Sequence, residues 1–138
     1  MTRFKRIFTF MLCLTLILSS FAGVVSASDD VISPRANNVS GTNSHFDIVD
    51  GEAIVTLSYQ GYNGVTTGAR ITTTLQKRNL LVFWKDVTEW VDTSSSSYGT
   101  FKHTYGVSSG TYRVKITYEI SGSGGATDVI EEEIKASS

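Results

Sequence analysis

From Tyr112 to Ile120 the chain reads Tyr-Arg-Val-Lys-Ile-Thr-Tyr-Glu-Ile, with every second residue large and apolar and those between carrying a charge or a hydroxyl. That period of two belongs to an extended chain with one face on a core. It predicts a strand that buries Tyr112, Val114, Ile116, Tyr118 and Ile120 and leaves Arg113, Lys115, Thr117 and Glu119 in water. Two more segments alternate in the same way. Ala53, Val55, Leu57 and Tyr59 share one face of the first, and Ala69, Ile71, Thr73 and Leu75 share one face of the second. Thr72, Thr73 and Thr74 favour extension through their branched Cβ atoms. Gly61-Tyr62-Asn63-Gly64 lies between the two segments and supplies residues that accept turn geometry. No segment keeps helical spacing and no internal repeat is present. The chain is therefore expected to be all-β, a small antiparallel β-sandwich of about seven strands with Greek-key or immunoglobulin-like connections.

The remaining strands are read from weaker signals. Residues His45 to Asp50 form a short strand candidate with Phe46 and Ile48 in phase. Leu80 to Trp84 is continuously apolar, and beyond it Val87 and Val91 oppose Trp84 and Trp90 in parity. Either both faces of this strand are covered, or a bulge or bend near Lys85-Asp86 switches its phase; the bend is favoured, because a small sandwich has little material to cover a second face. Asp92 to Ser97 reads as an exposed loop, and Phe101, His103 and Tyr105 share a face after it. Ser121 to Gly125 is a hairpin turn. The strand that follows, Ala126 to Ile134, carries Glu131-Glu132-Glu133 and is placed at a sheet edge, where acidic residues discourage pairing with a second molecule.

At the N-terminus, Arg3, Lys5 and Arg6 precede an apolar run from Ile7 to Leu18, and small residues follow at Val25-Ser26-Ala27. This is the order of a secretory signal peptide cleaved after Ala27. A retained anchor spanning Ile7 to Val25 is the alternative reading; Cys13 lies inside the apolar run, not at its end, which argues against a lipid-modified cysteine. The expected organisation is a leader over 1–27, a polar arm over 28–44 and a sandwich over 45–138, with the product secreted, extracellular or loosely held at the cell wall. Removal of the leader takes away three of the 12 basic residues and none of the 13 acidic ones, so the formal charge moves from −1 to −4. Such a balance gives no electrostatic reason to expect nucleic acid or an anionic membrane as partner, and no stable membrane insertion is expected after cleavage. Cys13 is the only cysteine, so the exported part has no disulfide.

Ile32-Ser33-Pro34-Arg35-Ala36, Leu75-Gln76-Lys77, the stretch from Trp84 to Trp90 and Gly110-Thr111-Tyr112-Arg113-Val114 occur here in that order. In this the chain resembles a group of small, signal-peptide-bearing proteins of Gram-positive bacteria to which no function is assigned. The resemblance implies export and an all-β domain, and it brings no active site. Members of that group place a glycine-rich turn between the Gln-Lys pair and the first tryptophan, where this chain has Arg78-Asn79-Leu80-Leu81-Val82-Phe83. A mid-chain tryptophan and a tyrosine opening a late alternating strand also resemble immunoglobulin-like sandwiches, without their framework disulfide.

Reactive constellations are weak. His45 and His103 lack metal-ligand spacing, no serine sits in a nucleophile-elbow pattern, and the acidic residues Asp128 and Glu131 to Glu133 lack a spaced calcium loop. No catalytic residue, metal or cofactor is expected. The aromatic residues are the better candidates: Tyr62 at a turn and Trp84 or Trp90 on a sheet face would stack on sugar rings or pack a partner if exposed, although both tryptophans are expected mainly in the core. The chain is accordingly read as a non-catalytic structural or protein-interaction domain whose partner is a protein or a cell-surface glycan. The alternatives are a carbohydrate- or cell-wall-binding module, a small hydrolase built on a clustered His-carboxylate or Ser-His-acid arrangement, and a toxin-like secreted protein.

Overall fold

The alternating segments form the centre of the molecule. A computed structural model describes residues 36–80 and 82–138; the leader, the arm up to residue 35 and Leu81 lie outside the described residues. Among the described residues there are seven strands and no helix: β1 (Val39–Val49), β2 (Glu52–Gly61), β3 (Thr66–Asn79), β4 (Phe83–Ser94), β5 (Tyr98–Gly106), β6 (Thr111–Gly122) and β7 (Asp128–Ser137). They make two antiparallel sheets, ordered β1-β2-β5 and β4-β3-β6-β7. The protein is thus a small antiparallel β-sandwich. Its fourth strand lies beside the third in the larger sheet, whereas in the immunoglobulin constant arrangement the fourth strand stays with the first sheet.

The core is made by the predicted alternations. Ala53, Val55, Leu57 and Tyr59 of β2 face Ile71 and Leu75 of β3 and the whole apolar row of β6, and all are buried. Burying a side chain of this kind stabilises a fold by about 1.5–3 kcal/mol. Tyr112 opens β6 and turns its hydroxyl back to the Ser108 carbonyl, 2.7 Å away, which is the tyrosine corner of immunoglobulin-like sandwiches. It pins the connection that crosses from β5 to β6. Tyr112→Phe keeps the ring in the core and removes this bond together with a longer contact to the Ser108 hydroxyl at 3.3 Å, so the domain is expected to lose about 1 kcal/mol in a denaturant titration.

Two boundaries differ from the sequence expectation. β1 begins at Val39, so the sandwich starts before residue 45 and the polar arm is shorter than expected. Thr42 and Ser44 occupy inward positions of β1, opposite Tyr59 and Leu57, where alternation alone would place apolar residues. They are accommodated because Thr42 donates to Glu132 at 2.7 Å and the hydroxyls of Ser44 and Tyr118 lie 2.7 Å apart. The first of these contacts ties β1 to β7 and the second ties it to β6, across the two sheets. Burial pushes the Tyr118 hydroxyl above its usual range, against the pull of its Ser44 hydrogen bond. At the other boundary β4 continues to Ser94, leaving only 95–97 of the predicted loop outside a strand. Asp92 belongs to β4, pairing with Ile71 of β3, and its carboxylate has a partner on β5.

The phase switch in β4 is a bulge. Leu75 pairs with Thr88 and Gln76 with Asp86, which leaves Val87 without a partner on β3. The extra residue sends Trp84 to the outer face and Trp90 to the inner one. β7 is an edge strand, as its acidic residues suggest. Arg35–Ser138 forms one compact unit that holds all seven strands and the core.

Candidate functional site

The three residues singled out from sequence do not converge. Tyr62 lies in the turn between β2 and β3, 41% exposed, its backbone N–H bonded to the Thr66 hydroxyl at 2.8 Å. Trp84 sits beside the far end of β3, opposite Arg78. The length of β3 therefore separates it from Tyr62. Trp90 is on the other face of β4, half-buried against the core.

Trp84 lies half-buried on the outer face of the larger sheet, over a polar network. Its ring covers the Arg113 guanidinium at 4.3 Å, with the Lys135 ammonium 6.0 Å from the centroid. Arg113 donates to Gln76 at 2.7 Å and to Glu133 at 3.1 Å, and Gln76 donates to Asp86 at 2.6 Å. Some desolvation pushes the Glu133 carboxyl up, but the Lys135 hydrogen bond and the Arg113 charge outweigh it and hold the group below the usual range. The cation, the arene and the carboxylate satisfy one another, so this face is a braced platform with its tryptophan lying across β6 toward β7.

Trp90 belongs to a second cluster, at the seam between β4 and β5. Its ring stacks on His103 at 4.9 Å with an interplanar angle of 9°, and Tyr105 meets its edge. His103 Nε2 lies 2.7 Å from Asp92 Oδ2, with side chains 19% and 14% exposed. A carboxylate bound to an imidazole is also part of a hydrolytic triad. Here one ring nitrogen faces the carboxylate and one ring face is covered by Trp90, an arrangement that holds the two sheets together. His45, by contrast, is exposed on the outer face of the smaller sheet. Among the described residues no group of three His, Cys, Asp or Glu side chains is placed to hold a metal ion.

The most unusual surface is one that the candidate residues only border. The β3–β4 pairing continues to Arg78 opposite Trp84 and Asn79 opposite Phe83, while β6 stops accompanying β3 at Lys77 opposite Tyr112. The hairpin therefore overhangs its sheet. Its tip exposes Leu80 (78%), Val82 (70%) and Phe83 (66%). Leu80 takes a left-handed backbone conformation, φ 47°, and accepts a hydrogen bond from the Val82 N–H at 2.8 Å. The turn falls where the resembled group has glycine, but here it is built from large apolar residues. Sequence reading missed it because an unbroken apolar run reads as a strand; the signal available was the cations on either side of the run, Lys77, Arg78 and Lys85.

A shallow groove of about 340 Å³ crosses the outer face of the smaller sheet, lined in part by Asn43, Ser58, Gln60, Tyr98 and Thr100 and opened by Gly41 and Gly99. Tyr98 is the exposed aromatic residue there.

No known protein-family model matches the chain, and no curated protein matches it. Among solved structures it is similar to OgpA from Akkermansia muciniphila, with a TM-score of 0.43 and 11% identity over 75% of this chain and 31% of OgpA. A catalytically inactive OgpA in complex with an O-glycopeptide substrate gives a TM-score of 0.42 at 10% identity, with the same coverage. The chain spans less than a third of OgpA.

Proposed function

We propose that the domain is a non-catalytic interaction module of an exported protein, with the β3–β4 hairpin tip as its contact element. The observation that supports this is the exposure of Leu80, Val82 and Phe83 at the point where the hairpin outruns its sheet. Large apolar residues held in water at a protruding turn mark interaction sites, and Leu80 does so in a backbone conformation that a leucine rarely adopts. The tip tests the reading directly. Leu80→Gly relieves the left-handed strain and Phe83→Ser removes the exposed ring, so this double variant is expected to melt within about 1 kcal/mol of the parent domain. Its binding to whole cells is expected to fall about tenfold or more. Cell binding unchanged in the folded variant would overturn the reading.

A carbohydrate- or cell-wall-binding role is the second reading, supported by the groove that sets Tyr98 among Asn43, Ser58, Gln60 and Thr100. An aromatic face beside amide and hydroxyl groups suits a sugar ring. It requires saturable binding on a glycan panel that Tyr98→Ala abolishes and Leu80→Gly/Phe83→Ser leaves intact.

A further inference from the structure

We propose that the turn between β2 and β3 is a site of spontaneous covalent modification, where Asn63 loses its side-chain amide to give aspartate and isoaspartate, and that the isoaspartate form loosens the start of β1. This goes beyond the contact role of the domain and does not depend on it. The reacting atoms are neighbours in the chain. The Gly64 nitrogen attacks Asn63 Cγ, a C–N bond forms, and the side-chain nitrogen leaves with the Gly64 amide proton as ammonia. A cyclic imide remains, and water opens it. Addition at Cγ leaves aspartate; addition at the main-chain carbonyl carbon leaves isoaspartate, with the backbone now running through Cβ and Cγ. Water is the only co-reactant, and nothing is oxidised or reduced.

Of the five asparagines, Asn63 is the one that its surroundings leave free to react. The Asn38 and Val39 N–H groups, which would have to attack Asn37 and Asn38, are instead bonded to Asp128 at 2.6 and 3.0 Å. Asn43 and Ser44 lie inside the β1–β2 ladder, opposite Ser58 and Leu57, where an extended backbone keeps nitrogen and Cγ apart. Asn79 lies in the β3–β4 ladder opposite Phe83 and is followed by Leu80, whose side chain crowds the nitrogen. Asn63 and Gly64 are both exposed, and the Asn63 side chain has no hydrogen bond among the described residues. The peptide plane between them is bonded at neither end, because the hydrogen bonds of the turn run from the Val65 and Thr66 N–H groups to the Tyr62 carbonyl, at 3.1 and 2.9 Å. That plane can rotate to bring nitrogen against Cγ without breaking a bond. Gly64, at φ 77° and with nothing within 4 Å of where a Cβ would stand, tolerates the rotation and leaves the nitrogen open.

The turn is also tied to the beginning of the sandwich. The Thr66 hydroxyl accepts the Tyr62 N–H at 2.8 Å and donates to the carbonyl of the buried Asn38. Isoaspartate adds one backbone atom between Tyr62 and Gly64, so the Tyr62 carbonyl no longer meets both N–H groups and Thr66 is drawn away from Asn38. Aspartate adds a charge and leaves the backbone path as it was.

The purified protein is aged in neutral buffer and sampled by peptide mapping and with an isoaspartyl methyltransferase. Conversion confined to Asn63 is expected. It is expected to vanish in Asn63→Gln, whose longer side chain closes the ring poorly, and to slow severalfold in Gly64→Ala. The isoaspartyl fraction is expected to melt roughly 10 °C below fresh protein, from the loss of two backbone hydrogen bonds. Asn63→Asp, with the charge but the ordinary backbone, is expected to melt within about 3 °C of the parent. If Asn63 keeps its amide in the folded protein while the denatured chain converts, the turn protects it and the modification site is overturned. Conversion of another asparagine ahead of Asn63 overturns the selection by hydrogen bonding. An isoaspartyl fraction that melts like fresh protein overturns the link to β1.

Discussion

Replacing Asp128 with alanine is expected to lower the stability of the domain by about 3 kcal/mol, and to lower its melting temperature by roughly 15 °C for a domain of this size. Asp128 opens β7, faces the interior of the sandwich, and accepts the backbone N–H groups of Asn37, Asn38 and Val39 at 2.9, 2.6 and 3.0 Å. One carboxylate thus gathers the start of β1 against an edge strand some ninety residues later. The buried Asn38 side chain completes the joint. It donates to the Ala126 carbonyl at 2.8 Å and accepts from the Gly124 N–H at 3.1 Å, while its own backbone carbonyl accepts the Thr66 hydroxyl. Gly124 and Gly122 have no room for a side chain here, since a Cβ would run into the Asn37 and Val65 carbonyl oxygens. With alanine at 128 three donors lose a charged acceptor at once, and two of these bonds are partly buried. Asp128→Asn keeps one acceptor oxygen and is expected to lose about half as much. Thermal melts of both variants, with hydrogen exchange at the Asn38 and Val39 amides, decide the matter. A shift of only a couple of degrees in the alanine variant would mean that water replaces the carboxylate, and that pairing with β2 and the Thr42 and Ser44 contacts hold β1 without it.

That joint also explains what the sequence could and could not reveal. The central strands β2, β3 and β6 were legible because each has neighbours on both sides within its sheet and one continuous face on the core, so apolar alternation runs unbroken from Ala53 to Tyr59 and from Tyr112 to Ile120. The first half of β1 was not legible: its inward residues Thr42 and Ser44 are polar, and what satisfies them, Glu132 and Tyr118, lies far along the chain. Asp92 was hidden in the same way by its bond to His103. A bend in β4 could be inferred from the conflict of parities, and it is the unpaired Val87. The three candidate aromatics were read by residue type and by place at a turn or in a strand, and neither can say that a bulge sends two tryptophans to opposite faces. The turn at Leu80 to Val82 broke the usual link between turns and polar residues. Local chemistry favours a strand there, and the departure from it is what the proposed contact role rests on.

His103→Ala is expected to destabilise the domain by about 2–3 kcal/mol, because it removes two interactions at the open edge of the sandwich. The imidazole stacks on Trp90 and meets the Asp92 carboxylate at 2.7 Å, and β4 and β5 belong to different sheets, so these contacts tie the sheets where no backbone pairing can. Losing the ring leaves a carboxylate that is largely out of solvent without its partner. If the pair serves as a clip, Asp92→Ala should lose a similar amount, and the double replacement should lose less than the sum, with a coupling of about 1–2 kcal/mol. Asp92→Leu with His103→Leu tests the same idea from the other side. An apolar pair of similar bulk against Trp90 needs no desolvated charge, so it is expected to recover most of the stability that either single alanine change loses. Near-ultraviolet circular dichroism should then report an ordered Trp90. Full additivity of the two single changes would show that His103 and Asp92 act separately, with the stack on Trp90 alone closing the seam. Recovery of stability by the leucine pair, accompanied by unchanged cell binding, would separate the clip from the hairpin tip and assign the Trp90-bearing face of β4 to holding the fold.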